Sequence, residues 1–281
     1  MPHTKLQATV ALAKLAFVAL AITLIPQGIW SALIVANLRT SPAVPWSVLV
    51  MAVLIVIVAQ YLRGQWGPKG TAEARRQSLR ATVVARQMFV WSWLAGALSI
   101  TALAGVWIVL ASLIRMPGSV LPDLSEYPWW TAVLALGMGM VISPLCEQAG
   151  MWGYLQGGLE RHVSGTTAVI GTALVFALLP HPPAGAAWVP RVLFFLLVGF
   201  VFSRMANLTH SILPGLPVHA LGLFVFFVLV WRHDTDRRLV TSVGPDRWFW
   251  MHVAQAVVFA GLGLWAFARL AQVSLPPRTR P

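Results

Sequence analysis

The chain has 281 residues, of which 58% are hydrophobic and only 10% charged. Soluble globular domains carry about 25% charged residues, so a lone soluble domain is excluded. The net charge of +12, from 20 Lys and Arg against 8 Asp and Glu, would point to nucleic acid in a soluble protein. In so apolar a chain it is read instead as basic loops facing anionic membrane lipid, and no nucleic-acid partner is expected.

A membrane-spanning helix needs roughly 20 apolar residues. The apolar residues here fall in blocks at 10–36, 44–62, 88–114, 129–158, 165–180, 188–208, 212–231 and 248–270. The expected fold is therefore all-α: a polytopic transmembrane helical bundle of about eight spans with an internal polar cavity. Short loops leave no room for a sizeable extramembrane domain, so residues 1–281 are read as a single integral membrane domain.

The first block begins after Lys5, and its apolar run from Leu15 to Leu38 is too long for a signal-peptide core. It is read as an uncleaved span. The longest polar stretch, Arg63 to Arg86, holds Arg63, Lys69, Arg75, Arg76, Arg80 and Arg86 against the single acid Glu73. It is expected to be a cytoplasmic loop whose second half is an amphipathic or span-extending helix. The fifth block is short and runs into Pro180-His181-Pro182-Pro183. A broken helix facing lipid would leave backbone groups without hydrogen-bond partners, so this end is expected to turn toward the polar cavity. With both termini cytoplasmic, 13 Lys and Arg lie inside and 7 outside, the bias expected of a protein in the plasma (inner) membrane. Trp46, Trp66, Trp129, Trp130, Trp231, Trp248 and Trp250, near span ends, are read as interface anchors. No internal repeat, sustained heptad or low-complexity tract is present.

Seven acids (Glu73, Asp123, Glu126, Glu160, Asp234, Asp236 and Asp246) fall in loops or at span edges, whereas Glu147 lies well inside an apolar stretch. A carboxylate there costs several kcal/mol, on the order of 2.5–3.5, unless it is neutralised, paired or in a water-filled cavity, and such groups mark functional sites. Two histidines can join it: His219, early in the seventh block, and His181, at the end of the broken fifth. The three admit two chemistries. Glu147 can take a proton from water while the histidines orient the nucleophile and stabilise a developing oxyanion. Alternatively, two His and one Glu form a zinc-ligand set. The separations of 34 and 38 residues contain no short ligand motif, and the only cysteine, Cys146, excludes a Cys-cluster metal site and an intramolecular disulfide. Zinc is thus the weaker reading, and no cofactor is expected.

The stretch Glu147-Gln148-Ala149-Gly150-Met151-Trp152-Gly153-Tyr154-Leu155 resembles the first motif, Glu-Glu-x-x-x-Arg-Gly, of the CAAX-protease and bacteriocin-processing family. These are intramembrane glutamate-dependent endopeptidases that include the type II CAAX prenyl endopeptidases. The second motif, Phe-x-x-x-His, resembles Phe176 to His181 with one residue too many. The third, His-x-x-x-Asn or Asp, resembles His219 to Leu223. The similarity extends over about 144–226. It implies catalytic roles for Glu147, His181 and His219, with Gln148, Trp152, Tyr154, Phe176 and Leu223 around them.

Three positions depart from the family pattern. Gln148 stands for the second Glu, Trp152 for the motif Arg, and Leu223 for the Asn that helps polarise the scissile carbonyl. Leu223 lies one helical turn after His219, on the same face, and cannot donate a hydrogen bond. Loss of one oxyanion donor costs about 2.7–4 kcal/mol in the barrier. Two functional expectations follow. The first is an intramembrane endopeptidase-like protein hydrolysing a peptide or lipidated peptide. The second is a catalytically inactive relative that binds a membrane protein partner or a lipidated peptide. A solute or proton transporter would also use a buried Glu, but the inverted repeat common in such folds is missing.

Overall fold

The computed structural model describes residues 5–114, 127–179, 187–234 and 237–275. Every regular element among them is helical. Five helices are long and apolar enough to cross a membrane: Val10–Thr40, Arg86–Leu113, Trp129–Leu159, Trp188–Thr209 and Arg247–Ser274. Three shorter apolar helices, Trp46–Leu62, Gly165–Leu178 and Gly215–Val230, fall on the remaining blocks. The protein is an all-α, polytopic helical chain, as its hydropathy pattern predicts. The turn at Pro180–Pro183 lies outside the described residues.

Two compact units divide the chain. The first holds the described residues up to Thr82 and those from Tyr127 to Ser164. It contains α1 (Lys5–Thr40), α2 (Trp46–Leu62), the short α3 (Ala72–Leu79), and α5 (Trp129–Glu147), which continues as a π-helix (Gln148–Leu155) and α6 (Gln156–Leu159). Pro26 interrupts α1, since its ring nitrogen offers no N–H to the Ile22 carbonyl. Polar side chains bond to the backbone around the break: Thr23 Oγ1 donates to the Ala19 carbonyl at 2.9 Å and Gln27 Nε2 to the Thr23 carbonyl at 2.8 Å. Met51, Ile142 and Cys146 form a small core with Trp30 and Leu33 of α1 packed on it.

The basic stretch after α2 is anchored rather than free. The Arg75 guanidinium donates to the carbonyls of Tyr61 (2.8 Å), Trp66 (2.7 Å) and Pro68 (3.3 Å) and lies over the Tyr61 ring at 4.4 Å. The expected helix is confined to α3, which ends at Arg80 in the left-handed conformation (φ 54°). Arg80 is buried and pairs with Glu160 at 3.0 Å. Glu160, read from sequence as a span-edge acid, is thus a structural counter-ion that keeps a buried cation from being left alone.

The second unit holds Val83 to Ile114 and the described residues from Gly165 onward. It contains α4 (Arg86–Leu113), α7 (Gly165–Leu178), α8 (Trp188–Thr209), α9 (Gly215–Phe224) running on as a π-helix to Val230, the single turn α10 (Val240–Val243), and α11 (Arg247–Ser274). Its core centres on Trp107 of α4, whose ring meets Phe194 at 4.8 Å and Trp231 at 5.8 Å, edge to face. The Trp107 indole N–H donates to Asp234 Oδ2 at 2.8 Å, and Arg237 pairs with the same carboxylate at 2.9 Å. Trp231, expected as an interface anchor, therefore belongs to this core. Trp66, Trp129, Trp130, Trp248 and Trp250 remain exposed, as anchors should.

Glycines set how closely the helices of this unit approach. A Cβ on Gly105 of α4 would lie 2.9 Å from the His252 carbonyl oxygen and 3.0 Å from the Ala256 nitrogen of α11. One on Gly199 of α8 would lie 3.0 Å from Ala173 Cα in α7. Backbone atoms cannot move aside as a flexible side chain can. Gly105→Val is accordingly expected to destabilise the protein by about 1–3 kcal/mol, the usual cost of overpacking, seen as a lowered Tm in detergent solution, whereas Gly261→Ala, with nothing near its Cβ, should leave Tm unchanged.

Candidate functional site

Glu147 is the last residue of α5, three residues after Pro144, and the helix changes there from α to π hydrogen bonding. Pro144 lacks the N–H that would continue the α-helical ladder, and π segments inside α-helices are frequent at functional sites. The carboxyl of Glu147 is partly buried. Its Oε1 accepts from the Ser143 hydroxyl, one turn back on the same helix, and from Gln27 Nε2 of α1 at 3.5 Å. Both of these donors are neutral, and they orient the carboxyl.

Gln27 reaches Glu147 because α1 and the motif helix run against each other along a face of glycines. A Cβ on Gly150 would collide with the Thr23 hydroxyl and come within 2.5 Å of the Ala19 carbonyl oxygen. One on Gly158 would collide with the Leu15 side chain. The register is thus Leu15 against Gly158, Ala19 and Thr23 against Gly150, and Gln27 against Glu147. On the opposite flank a Cβ on Gly153, the motif glycine, would lie 2.7 Å from the Leu79 carbonyl oxygen. One on Gly157 would lie 2.7 Å from Arg80 Cδ. Small residues serve this purpose in membrane helices, where close backbone packing replaces hydrophobic drive.

The other motif residues in this unit differ in what they contribute. Gln148 is buried, and its Nε2 donates to no acceptor among the described residues. Trp152, where the family has Arg, is fully buried and fills the unit's interior rather than presenting a charge. Tyr154 is half-buried on the π-helix.

In the second unit His219 lies in the first turns of α9 and is buried. Its ring stacks on Phe202 of α8 with centroids 4.8 Å apart and planes at 31°. The preceding residue, Val218, sits where a Cβ on Gly96 of α4 would be, and a Cβ on Gly222 would lie 3.4 Å from Ile100 Cδ1. Glycine thus sets the depth of this histidine too. Leu223 is half-buried on the same helix. Phe176 is buried in α7, where its ring meets Phe195 edge to face at 6.2 Å, so it packs α7 on α8. His181 lies outside the described residues. Among the described residues no three His, Cys, Asp or Glu side chains gather as a metal-ligand group.

Residues 128–225 match the family of type II CAAX prenyl endopeptidases, Rce1-like. That segment is similar to the family over about a third of the chain. The matched segment opens at the start of α5 and closes one residue after α9, so it contains all three motifs of the intramembrane endopeptidase family. Searches of the curated proteins and of the solved structures find no match. The apolar helices, with this match, are those of an integral membrane protein.

Sequence reasoning missed Ser143 and Gln27. Ser143 was legible in principle, since positions four apart share a helix face. Gln27 carried only the weak signal of a polar residue beside a proline in an apolar span. Gly150→Val is expected to separate α1 from the motif helix and lower Tm by several degrees, as for about 1–3 kcal/mol of overpacking. Ser143→Ala, which removes one hydrogen bond to the Glu147 carboxyl, should cost about 0.5–3 kcal/mol in the same thermal unfolding measurement.

Proposed function

We propose that this membrane protein is an intramembrane endopeptidase that hydrolyses a peptide or lipidated-peptide bond with a water activated by Glu147. The observation carrying this reading is the carboxyl of Glu147. It stands in the stretch that resembles the family's first motif, inside an apolar helix, partly buried, and accepts from Ser143 and Gln27. A carboxylate so held keeps its capacity to accept a proton. In this mechanism Glu147 takes a proton from water as the oxygen attacks the scissile carbonyl. His181 and His219 position the water and the oxyanion, and Glu147 returns the proton to the leaving amine. Gln148, Trp152, Tyr154, Phe176 and Leu223 shape the surroundings. No cofactor enters this scheme. The substrate approaches from the membrane, and a lipidated peptide suits both the family and an apolar setting. Both termini face the cytoplasm in the orientation that the 13-to-7 distribution of Lys and Arg favours.

A second reading has its own support. Trp152 is an apolar, wholly buried side chain where the family carries a cation, and Leu223 cannot donate to an oxyanion. These changes suit a relative that has kept the fold and lost the chemistry, binding a peptide or a membrane protein partner.

The test is cleavage of a farnesylated C-terminal peptide by the purified full chain in lipid nanodiscs. Glu147→Gln is expected to lower kcat/KM by about 10²–10⁴, the usual contribution of a positioned general base. Leu223→Asn is expected to raise kcat by about 10-fold or more, since one added oxyanion donor is worth up to 10²–10³. Cleavage unaffected by Glu147→Gln would sink the hydrolase mechanism. A wild-type chain that binds the peptide without cutting it, yet cuts it as Leu223→Asn, would favour the second reading.

A further inference from the structure

At one end of the second unit, away from the motif residues of that unit, a cavity of about 510 Å³ opens between the last turns of α4 and the first turns of α11. Ile108, Val240 and Val243 give it an apolar side, and Arg237, Arg238 and His252 a polar one. The lining therefore divides as an amphipathic ligand divides. It sits at the ends of two membrane-length helices, beside the exposed Trp248 and Trp250, the level at which aromatic belts meet lipid headgroups.

The charges have separate employment. Arg237 is committed through Nε to Asp234 at 2.9 Å and through Nη2 to the Val230 carbonyl at 3.2 Å, which leaves Nη1 out of both bonds. Asp246, also in the lining, caps α11 by accepting the Phe249 N–H at 2.8 Å. Arg247 lies over the Trp248 ring at 5.3 Å. Arg238 is exposed and has no carboxylate partner among the described residues. Among the described lining residues Arg237 and Arg238 stand against Asp246, and a guanidinium at an apolar edge is well suited to phosphate, which it can grip through two parallel N–H groups.

We propose that this cavity binds the phosphate of a membrane phospholipid, with Arg238 as the principal cation, Nη1 of Arg237 beside it, and an acyl chain along Ile108, Val240 and Val243. The chemistry shared by a lipid headgroup and a free phosphate is the anion; the apolar half of the lining favours the lipid. The site is independent of the proposed hydrolysis, because none of its residues belongs to the family motifs.

Native mass spectrometry of the full chain, released from detergent, tests this with three probes: phosphatidylglycerol, diacylglycerol with the same acyl chains, and glycerol phosphate. Phosphatidylglycerol adducts should persist where diacylglycerol adducts do not. Arg238→Gln should weaken phosphatidylglycerol binding about tenfold, the loss of one charge-assisted contact. Val240→Trp, which fills the apolar half, should weaken it as well. Lipid-free Tm of each variant, equal to wild type, establishes that the fold survives; a lowered Tm moves the test to Arg238→Lys, which should bind better than Arg238→Gln. Equal retention of diacylglycerol, or phosphatidylglycerol binding indifferent to Arg238, overturns the proposal. Glycerol phosphate displacing the lipid at matched concentration would overturn the lipid assignment and leave a soluble phosphate as the ligand.

Discussion

The contact on which the first unit depends is the approach of α1 to the motif helix at Gly150. Any side chain there would occupy the space of the Thr23 hydroxyl and the Ala19 carbonyl. Lipid tails are as apolar as leucine, so membrane helices gain little from burying apolar surface and much from close van der Waals packing. Gly150 permits that packing, and Gly158, Gly153 and Gly157 extend it to Leu15, Leu79 and Arg80. One consequence reaches the chemistry: with Thr23 fixed against Gly150, Gln27 falls one turn further along α1, opposite Glu147. The second unit uses the same device at Gly96, Gly105 and Gly199.

The surroundings of Glu147 combine two departures from regular helix. Pro26 in α1 and Pro144 in α5 each remove a backbone donor, and polar side chains lie beside both breaks. Gln27 bonds to the Thr23 carbonyl and reaches Glu147 with the same amide nitrogen; Ser143 bonds to Glu147 alone among the described residues. Irregular backbone at membrane depth is tolerated where protein surrounds it. Here that irregularity is combined with the one carboxyl that stands deep in an apolar block.

Where the motif it resembles has a second Glu and an Arg, this chain has Gln148 and Trp152. An arginine at position 152 would need a counter-ion in the interior; Trp152 needs none and fills the volume. Gln148 keeps polar reach without charge, with an amide nitrogen that has no acceptor among the described residues. The buried cation Arg80 in the same unit keeps Glu160. A neutral interior avoids the desolvation of an ion pair, which in apolar surroundings often exceeds the pair's own attraction.

Hydropathy alone determined the eight apolar helices and nearly all their limits, because the cost of burying backbone and charge in hydrocarbon acts on each segment separately. It also singled out Glu147, since an acid in an apolar run is visible without a fold. The first and third motif stretches could be read for the same reason: each lies within one continuous helix. Tertiary structure decided the rest. Glu160 and Asp234 looked like loop acids until Arg80, Arg237 and Trp107 were seen beside them. Trp231 looked like an interface anchor until its ring was found against Trp107. Gln27, 120 residues from Glu147, could not be found at all, because its role depends on how closely two helices pass, and that distance is set by the glycine at position 150.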